Sequence, residues 1–421
     1  MNKARRTFIQ KASLAGLGGA AFVGNAVWAA SDQRNPDLSD LDEILSTPVL
    51  NTGRFDRPII VKSIELLRFG DNFLCRVRST DGAEGISVSN NMVMTHLYPI
   101  FVRRIQPFFL GKDLRDWENL LEEVYVHDSN YKMQNLAFWV PLATLEFAVL
   151  DLLGRMSGLS MGQLLGEVHH PRIAVYQANN YRGRSAEESI DLIERNVRET
   201  HAKALKFKVG GRMSHNRDFP PGRTEKLIPL VRERFGDEMV IYADSNGSYT
   251  ADEAIRIGKL METYRYDFYE EPVPFDWYPE TLEVAQALSI PIAGGEQEPS
   301  MRNFRWLIGH DALQIVQPDI FYFGGMIRSM KVARMAAARG MECTPHISGS
   351  GLGYLYMMHF VSAVPNAGPY HEFKGFNKEI PLECATSSLS SEDGVVQVPS
   401  GPGLGVEIDP DYVKKHTLVS A

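Results

Sequence analysis

Six acidic or imidazole side chains recur in the second half of this 421-residue chain at a nearly constant interval. Asp244, Glu270, Glu296, Asp319, His346 and Glu372 are separated by 26, 26, 23, 27 and 26 residues, about the length of one strand and one helix with their loops. Each follows a short apolar run, so each falls where a strand would end. Asp244, Glu270 and Glu296, brought together from successive strands, would repel one another unless a cation sat among them. A ligand set made only of carboxylate oxygens suits Mg²⁺, which keeps positions open for water or substrate. A single acid of this kind is more often a helix cap or a surface charge; the even spacing argues against that for all three.

Upstream, the alternation of a strand puts both lysines of Lys206-Phe207-Lys208 on one face. Two neighbouring ammonium groups depress each other's pKa, and a lysine shifted in this way can serve as a base near neutral pH. The competing reading is a pair of solvated lysines on an edge strand. Asp319 and His346, at consecutive strand ends, suit a dyad in which the carboxylate orients the imidazole and raises its basicity. Candidate substrate contacts are Asn246, two residues beyond Asp244, then Asn179, Tyr181 and Arg182 after an earlier apolar run, and His371 beside Glu372.

Residues spaced this evenly require a repeating scaffold. Apolar runs at 173–178, 204–209, 239–243, 267–269, 291–294, 313–316, 341–344 and 369–372 read as strands, with helical stretches such as 223–235, 251–263, 281–288 and 326–339 between them. Eight strand–helix units predict an α/β fold, a (β/α) barrel over residues 171–376, with working residues at the C-terminal ends of its strands. Residues 58–170 have a different rhythm. Strands at 59–67 and 72–77, joined by a short turn at Phe69-Gly70-Asp71, precede helical periodicity over 92–109, 114–125 and 139–156, so an α+β capping domain is expected. The turn-rich tail, 377–421, contains Gly401-Pro402-Gly403-Leu404-Gly405 and should pack on that cap. Residues 30–57 form a polar extension.

The first 29 residues read as an export signal. Lys3, Arg5, Arg6 and Lys11 are basic, no acid precedes Asp32, and a small apolar stretch ends in Val27-Trp28-Ala29, which fits a cleavage site. The run is too short and glycine-broken for a membrane span. Arg5-Arg6-Thr7-Phe8-Ile9-Gln10-Lys11 resembles a twin-arginine signal, the route for folded proteins, although Ala4 stands where that signal usually has Ser or Thr. Periplasmic localisation follows, or membrane association if the segment stays uncleaved. Four of the 44 basic residues lie there, leaving 40 against 52 acidic ones and a formal charge of −12. Such a balance gives no invitation to nucleic acid or to an anionic membrane. Three cysteines, Cys75, Cys343 and Cys384, are too few for a disulfide scaffold.

Together these segments resemble the enolase superfamily, and within it the mandelate racemase subgroup. The resemblance rests on Lys206-Phe207-Lys208, Asp244-Ser245-Asn246, Glu270-Glu271-Pro272, Gly295-Glu296, Pro318-Asp319, His346 and Glu372, and spans most of the chain after residue 58. It implies a modified, enolase-like TIM-type barrel with its N-terminal cap completed by the C-terminal tail. It further implies Lys208 and His346 as opposed bases, Lys206 as added positive charge, and Asp319 as the partner of His346. Glu270 would be the metal ligand while Glu271 points away, and Glu372 would hydrogen-bond the substrate carboxylate. The implied chemistry is removal of the proton next to a carboxylate, with loss of water from a sugar acid as the leading outcome. Racemisation or epimerisation of a 2-hydroxy acid, and cycloisomerisation of a sugar lactone, use the same machinery. A silent sugar-acid-binding protein is the rival from another class. A homo-oligomer is expected.

Overall fold

The computed structural model describes residues 36–349, 351–373, 380–381, 388–389 and 391–420. Residues 1–29, read from the sequence as an export signal, and Cys384 lie outside the described residues, while Cys75 and Cys343 are buried free thiols. The cap opens with an antiparallel meander of β1 (Val61–Phe69), β2 (Asn72–Ser79) and β3 (Glu84–Val88). Phe69 pairs with Asn72, so β1 and β2 are joined by Gly70 and Asp71 alone, with Gly70 at φ +59. Strand β3, absent from the sequence reading, is short and lies against the helix Leu136–Ser157. A Cβ on Gly85 would meet Ala148 O at 2.1 Å and Leu152 N at 2.4 Å, so only glycine permits this approach of strand to helix. That helix is long and apolar enough to cross a membrane, yet 89% of its most apolar window is buried inside the fold. It is the cap's core helix.

Eight parallel strands follow: β4 (Arg172–Asn179), β5 (Ala204–Lys208), β6 (Val240–Asp244), β7 (Phe268–Glu270), β8 (Ile292–Gly294), β9 (Ile315–Val316), β10 (Glu342–Cys343) and β11 (His371–Glu372). Neighbours in sequence pair in order from β4 to β10, and β11 pairs with β4. Between β10 and β11 the ladder shrinks to one parallel bridge, Cys343 with Ala367. The sheet thus returns on itself as a barrel, and all eight strands lie where the apolar runs stand.

The period of two along each strand separates two apolar layers. Leu205, Phe207, Ile241, Ala243 and Tyr269 join the large core shared with the surrounding helices. Tyr176, Ala204, Tyr242, Phe268, Ala293 and Ile315 form a second cluster inside the barrel, with Tyr242 and Phe268 stacked at 3.8 Å. This plug closes the barrel below the C-terminal ends of its strands. It also dictates which residues emerge above it, because Lys206, Asp244 and Glu270 each stand two positions beyond a plug residue.

The tail serves both modules. Val395–Gln397 pairs antiparallel with the start of β4, and Thr417–Leu418 pairs with β1 as a further strand of the capping sheet. The polar extension contains a helix, Ser39–Ser46. It docks on the outside of the barrel: Arg305 binds Asp42 at 2.6 Å, Arg339 binds Asp40 at 2.7 Å, and Lys331 Nζ donates to Leu45 O at 3.1 Å.

Candidate active site

Register carries the central residues into contact. Lys208, Asp244 and Glu270 are paired neighbours across β5, β6 and β7. Gly294 ends β8, and Glu296 follows it after Gly295, whose φ of +104 suits glycine alone. Asp244, Glu270 and Glu296 are all buried, each offering a carboxylate oxygen within 4.8 Å of the others. Three buried carboxylates at this separation demand a countercharge, and the donor set fits a hard divalent cation.

Both lysines lean on this triad. Lys206 Nζ lies 2.8 Å from each oxygen of Glu270 and 5.1 Å from the Tyr176 ring, while Lys208 Nζ bonds Asp244. Mutual depression of the two ammonium groups therefore does not govern Lys206. Burial works against its charge, but Glu270 and the surrounding anions outweigh burial and hold it well above the ordinary lysine range. Burial also opposes the Asp244 anion, and there Lys208 and Lys206 prevail, keeping the carboxyl well below the usual range. Glu270 is pushed up to about 7 by burial and by its acidic neighbours, against the pull of Lys206.

Across the mouth, His346 Nδ1 lies 2.8 Å from Asp319 Oδ2. Asp319 is itself held by backbone N–H groups of Phe321, Tyr322 and Ser348 at 2.7–2.9 Å. The dyad thus fixes the ring and turns Nε2 inward, to 3.5 Å from Glu296. Burial disfavours the imidazolium, yet Glu296 and Asp319 overcome it and raise His346 to about 10. Lys206, Lys208, Glu296, His346 and Glu372 line one cavity of about 550 Å³, together with Asn180, Arg182, Gly211, Arg212 and Asn246. Lys208 on β5 and His346 after β10 enter it from opposite parts of the wall. Asn90 of the cap reaches the rim, its Nδ2 donating to Ser348 Oγ at 2.9 Å.

Three of the residues expected to touch substrate lie elsewhere. Asn179 is paired in register with outward-facing Phe207; it is buried, donating to Gln177 O and Lys206 O and accepting from Asn196. Tyr181 also meets Asn196, on the helix Ala186–Thr200 behind the strand. His371, next to Glu372, faces the opposite side; its Nε2 lies 3.0 Å from Gly368 O, and burial drives it down to about 4. Glu271, at φ +43, lines a separate small cavity with Pro272 and Val273. The sequence reading passed over Gln317, whose Nε2 donates to Glu270 Oε2 at 2.9 Å. Its signal was present, since Gln317 stands two residues beyond the plug residue Ile315. Asn180 and Arg212 come from loops and carry no such periodic mark.

A family model described as Enolase C-terminal domain-like matches residues 188–412, which covers barrel strands β5 to β11 and the carboxylate series. The chain belongs to the enolase superfamily. Similar solved structures place it in the mandelate racemase subgroup. A mandelate racemase/muconate lactonizing protein from Paracoccus denitrificans, complexed with magnesium, superposes with a TM-score of 0.77 at 27% identity, over 86% of this chain and 99% of that one. Among characterised relatives, the D-galactarolactone cycloisomerase of Agrobacterium fabrum is 27% identical over 75% of this chain and 84% of its own. The arabinonate dehydratase of Saccharolobus solfataricus is 25% identical over 79% and 87%. As an enolase-superfamily enzyme, the chain carries its metal-type triad between two potential proton carriers.

Proposed function

We propose that this enzyme is a Mg²⁺-dependent sugar-acid dehydratase, which removes the proton next to the carboxylate and expels the hydroxyl from the next carbon. The observation that carries the reading is the pairing of Lys208 and His346 in one cavity, on either side of Asp244, Glu270 and Glu296. These three carboxylates would hold the ion. When bound, Mg²⁺ supplies Lewis-acid stabilisation for the negative charge that builds on the substrate carboxylate.

The protein's own groups supply the rest. Lys208, as the neutral amine, accepts the α-proton at Nζ. Lys206, with its ammonium fixed beside Glu270, adds positive charge where the carboxylate gains electron density. Glu372, when protonated, donates a hydrogen bond to that carboxylate. The Asp319 contact at Nδ1 leaves the Nε2 proton of His346 for the departing β-hydroxyl. The Asp319 carboxylate at Nδ1 favours the protonated ring that this step needs. The enol that remains becomes a 2-keto acid.

A screen of sugar acids for 2-keto product tests this. Dehydration predicts such a product, and its loss in His346→Asn while solvent deuterium still enters the α position through Lys208. Deuterium exchange without any keto product, on wild-type enzyme, would instead assign racemisation. Disappearance of a lactone without net loss of water would favour the cycloisomerase chemistry of the Agrobacterium relative. We also propose export to the periplasm, supported by Arg5, Arg6 and the apolar stretch that follows them. Replacing both arginines with lysine should leave the chain in the cytoplasm, as fractionation would show.

A further inference from the structure

Every cation that faces the cavity from the strand ends is matched with a carboxylate: Lys206 with Glu270, Lys208 with Asp244, His346 with Asp319 and Glu296. The two arginines of the same cavity are not. Arg182 donates to Gly210 O at 3.1 Å, Val209 O at 3.3 Å and Asn246 Oδ1 at 3.0 Å. Arg212 reaches the same Asn246 oxygen at 3.4 Å. Neither guanidinium has an ion-pair partner among the described residues, although the two approach one another closely enough to share one neutral acceptor. Like charges are brought together in this way at a cost, which an anion between them would offset.

The backbone of the loop after β5 shows the same directed placement. Arg212, Met213, His215 and Asn216 all have φ between +46 and +67, a region that costs a non-glycine residue roughly 1 kcal/mol or more. The loop is pinned there: Arg212 N donates to Ser248 Oγ at 2.9 Å, Met213 N to Asn246 O at 3.0 Å and Asn216 N to Ser248 O at 2.8 Å. Gly211 has no room for a side chain, since a Cβ would lie 2.8 Å from Arg217 O. The conformation brings Arg212 to the rim of the cavity, opposite the half-buried Arg182. Asn246 stands between the pair and the metal-type triad, its Nδ2 donating to Asp244 Oδ2 at 3.2 Å.

We propose that Arg182 and Arg212 form a second anion subsite, so that the substrate bears an anionic group at both ends. Resting on the sugar-acid reading, this narrows the class to dicarboxylic sugar acids or sugar acids phosphorylated at the far end. Planar guanidinium forks suit either oxyanion. The reacting carboxylate goes to the triad, Lys206 and Glu372, and the far group goes to the arginines.

The test uses the full chain with Mg²⁺ and three sets of probes: monocarboxylic sugar acids, dicarboxylic sugar acids of equal length, and terminally phosphorylated sugar acids. Calorimetric binding and keto-product formation are both followed. The doubly anionic probes should bind roughly 10- to 100-fold more tightly than the monoacids, and the better of the two sets identifies the far group. In Arg212→Ala that preference should fall towards one, mainly through KM, and Arg212→Lys should restore part of it. Equal use of monoacids and doubly charged acids overturns the subsite and leaves dehydration standing. Selective binding of a doubly charged acid without turnover does the reverse. Absence of binding by every probe, or a preference unchanged in Arg212→Ala, also overturns it.

Discussion

At the scale of single residues, Glu270 has the most to hold. It offers oxygens to the triad, meets Lys206 through both of them and accepts a hydrogen bond from Gln317. Replacing it with Gln removes a charged ligand while keeping the volume. Glu270→Gln should therefore lose Mg²⁺ affinity and activity together, in metal titration and in turnover; retained metal binding would remove Glu270 from the ligand set. Gln317 touches only the ligand, so Gln317→Leu should leave the ligand set intact and weaken metal affinity about 10- to 100-fold. An unchanged affinity would make its hydrogen bond incidental. These roles differ in how visible they are from sequence. The alternation of β5, β6 and β7 makes Lys206, Lys208, Asp244 and Glu270 legible, because two-residue steps from the buried plug residues Ala204, Tyr242 and Phe268 lead to them. The same alternation assigns Asn179 and His371 to the outer face, so neither a place at the end of an apolar run, for Asn179, nor adjacency to Glu372, for His371, was a sufficient guide. Arg212 stands on no regular element, so nothing in its local pattern marks its direction.

At the scale of elements, the cap grips the segment that carries the dyad. Glu146, buried on the helix Leu136–Ser157, accepts from Ile327 N at 3.1 Å and from Trp117 Nε1 at 3.2 Å. Ile327 lies in the first turn of the helix Met326–Ala338, just after the loop that begins at Asp319. Gly325 allows the contact, since a Cβ there would fall 2.1 Å from Glu146 Oε1. Burial pushes Glu146 up from 4.5 to about 7, although its hydrogen bonds favour the anion. A carboxyl whose folded pKa lies above its unfolded value binds its proton more tightly in the native state. Its contribution to stability is whole below about pH 4.5 and is lost as pH rises through about 7. The difference amounts to on the order of 3 kcal/mol. Glu146→Gln should flatten the fall in stability between pH 5 and 8, as measured by denaturant unfolding; an unaltered slope would place the titration elsewhere. The barrel strands were legible as apolar runs at regular intervals. Strand β3 was not, because Gly85 and the serines Ser87 and Ser89 look like a loop until the helix backbone lies against them.

At the scale of the whole molecule, the stretch between the proposed export signal and the cap binds distant parts of the chain. Asp40, Asp42 and Leu45 meet Arg339, Arg305 and Lys331, and Val49 N and Leu50 N donate to Glu118 at 2.7 Å. Leu41 is fully buried, and Leu38 fills the space over Gly309. The surface ion pairs contribute little, about 0–1 kcal/mol each, so the apolar contacts at Leu38 and Leu41 should decide whether the segment stays docked. Burying a charge at the second position is far costlier than any of those pairs can offset. Leu41→Asp should thus release residues 37–50 to limited proteolysis while the rest of the chain resists. Mg²⁺ affinity should stay unchanged, because none of the triad's contacts runs through this segment. Equal resistance in the variant and the wild type would mean that the charged contacts alone suffice. A parallel loss of metal binding would mean that docking of this segment supports the barrel itself.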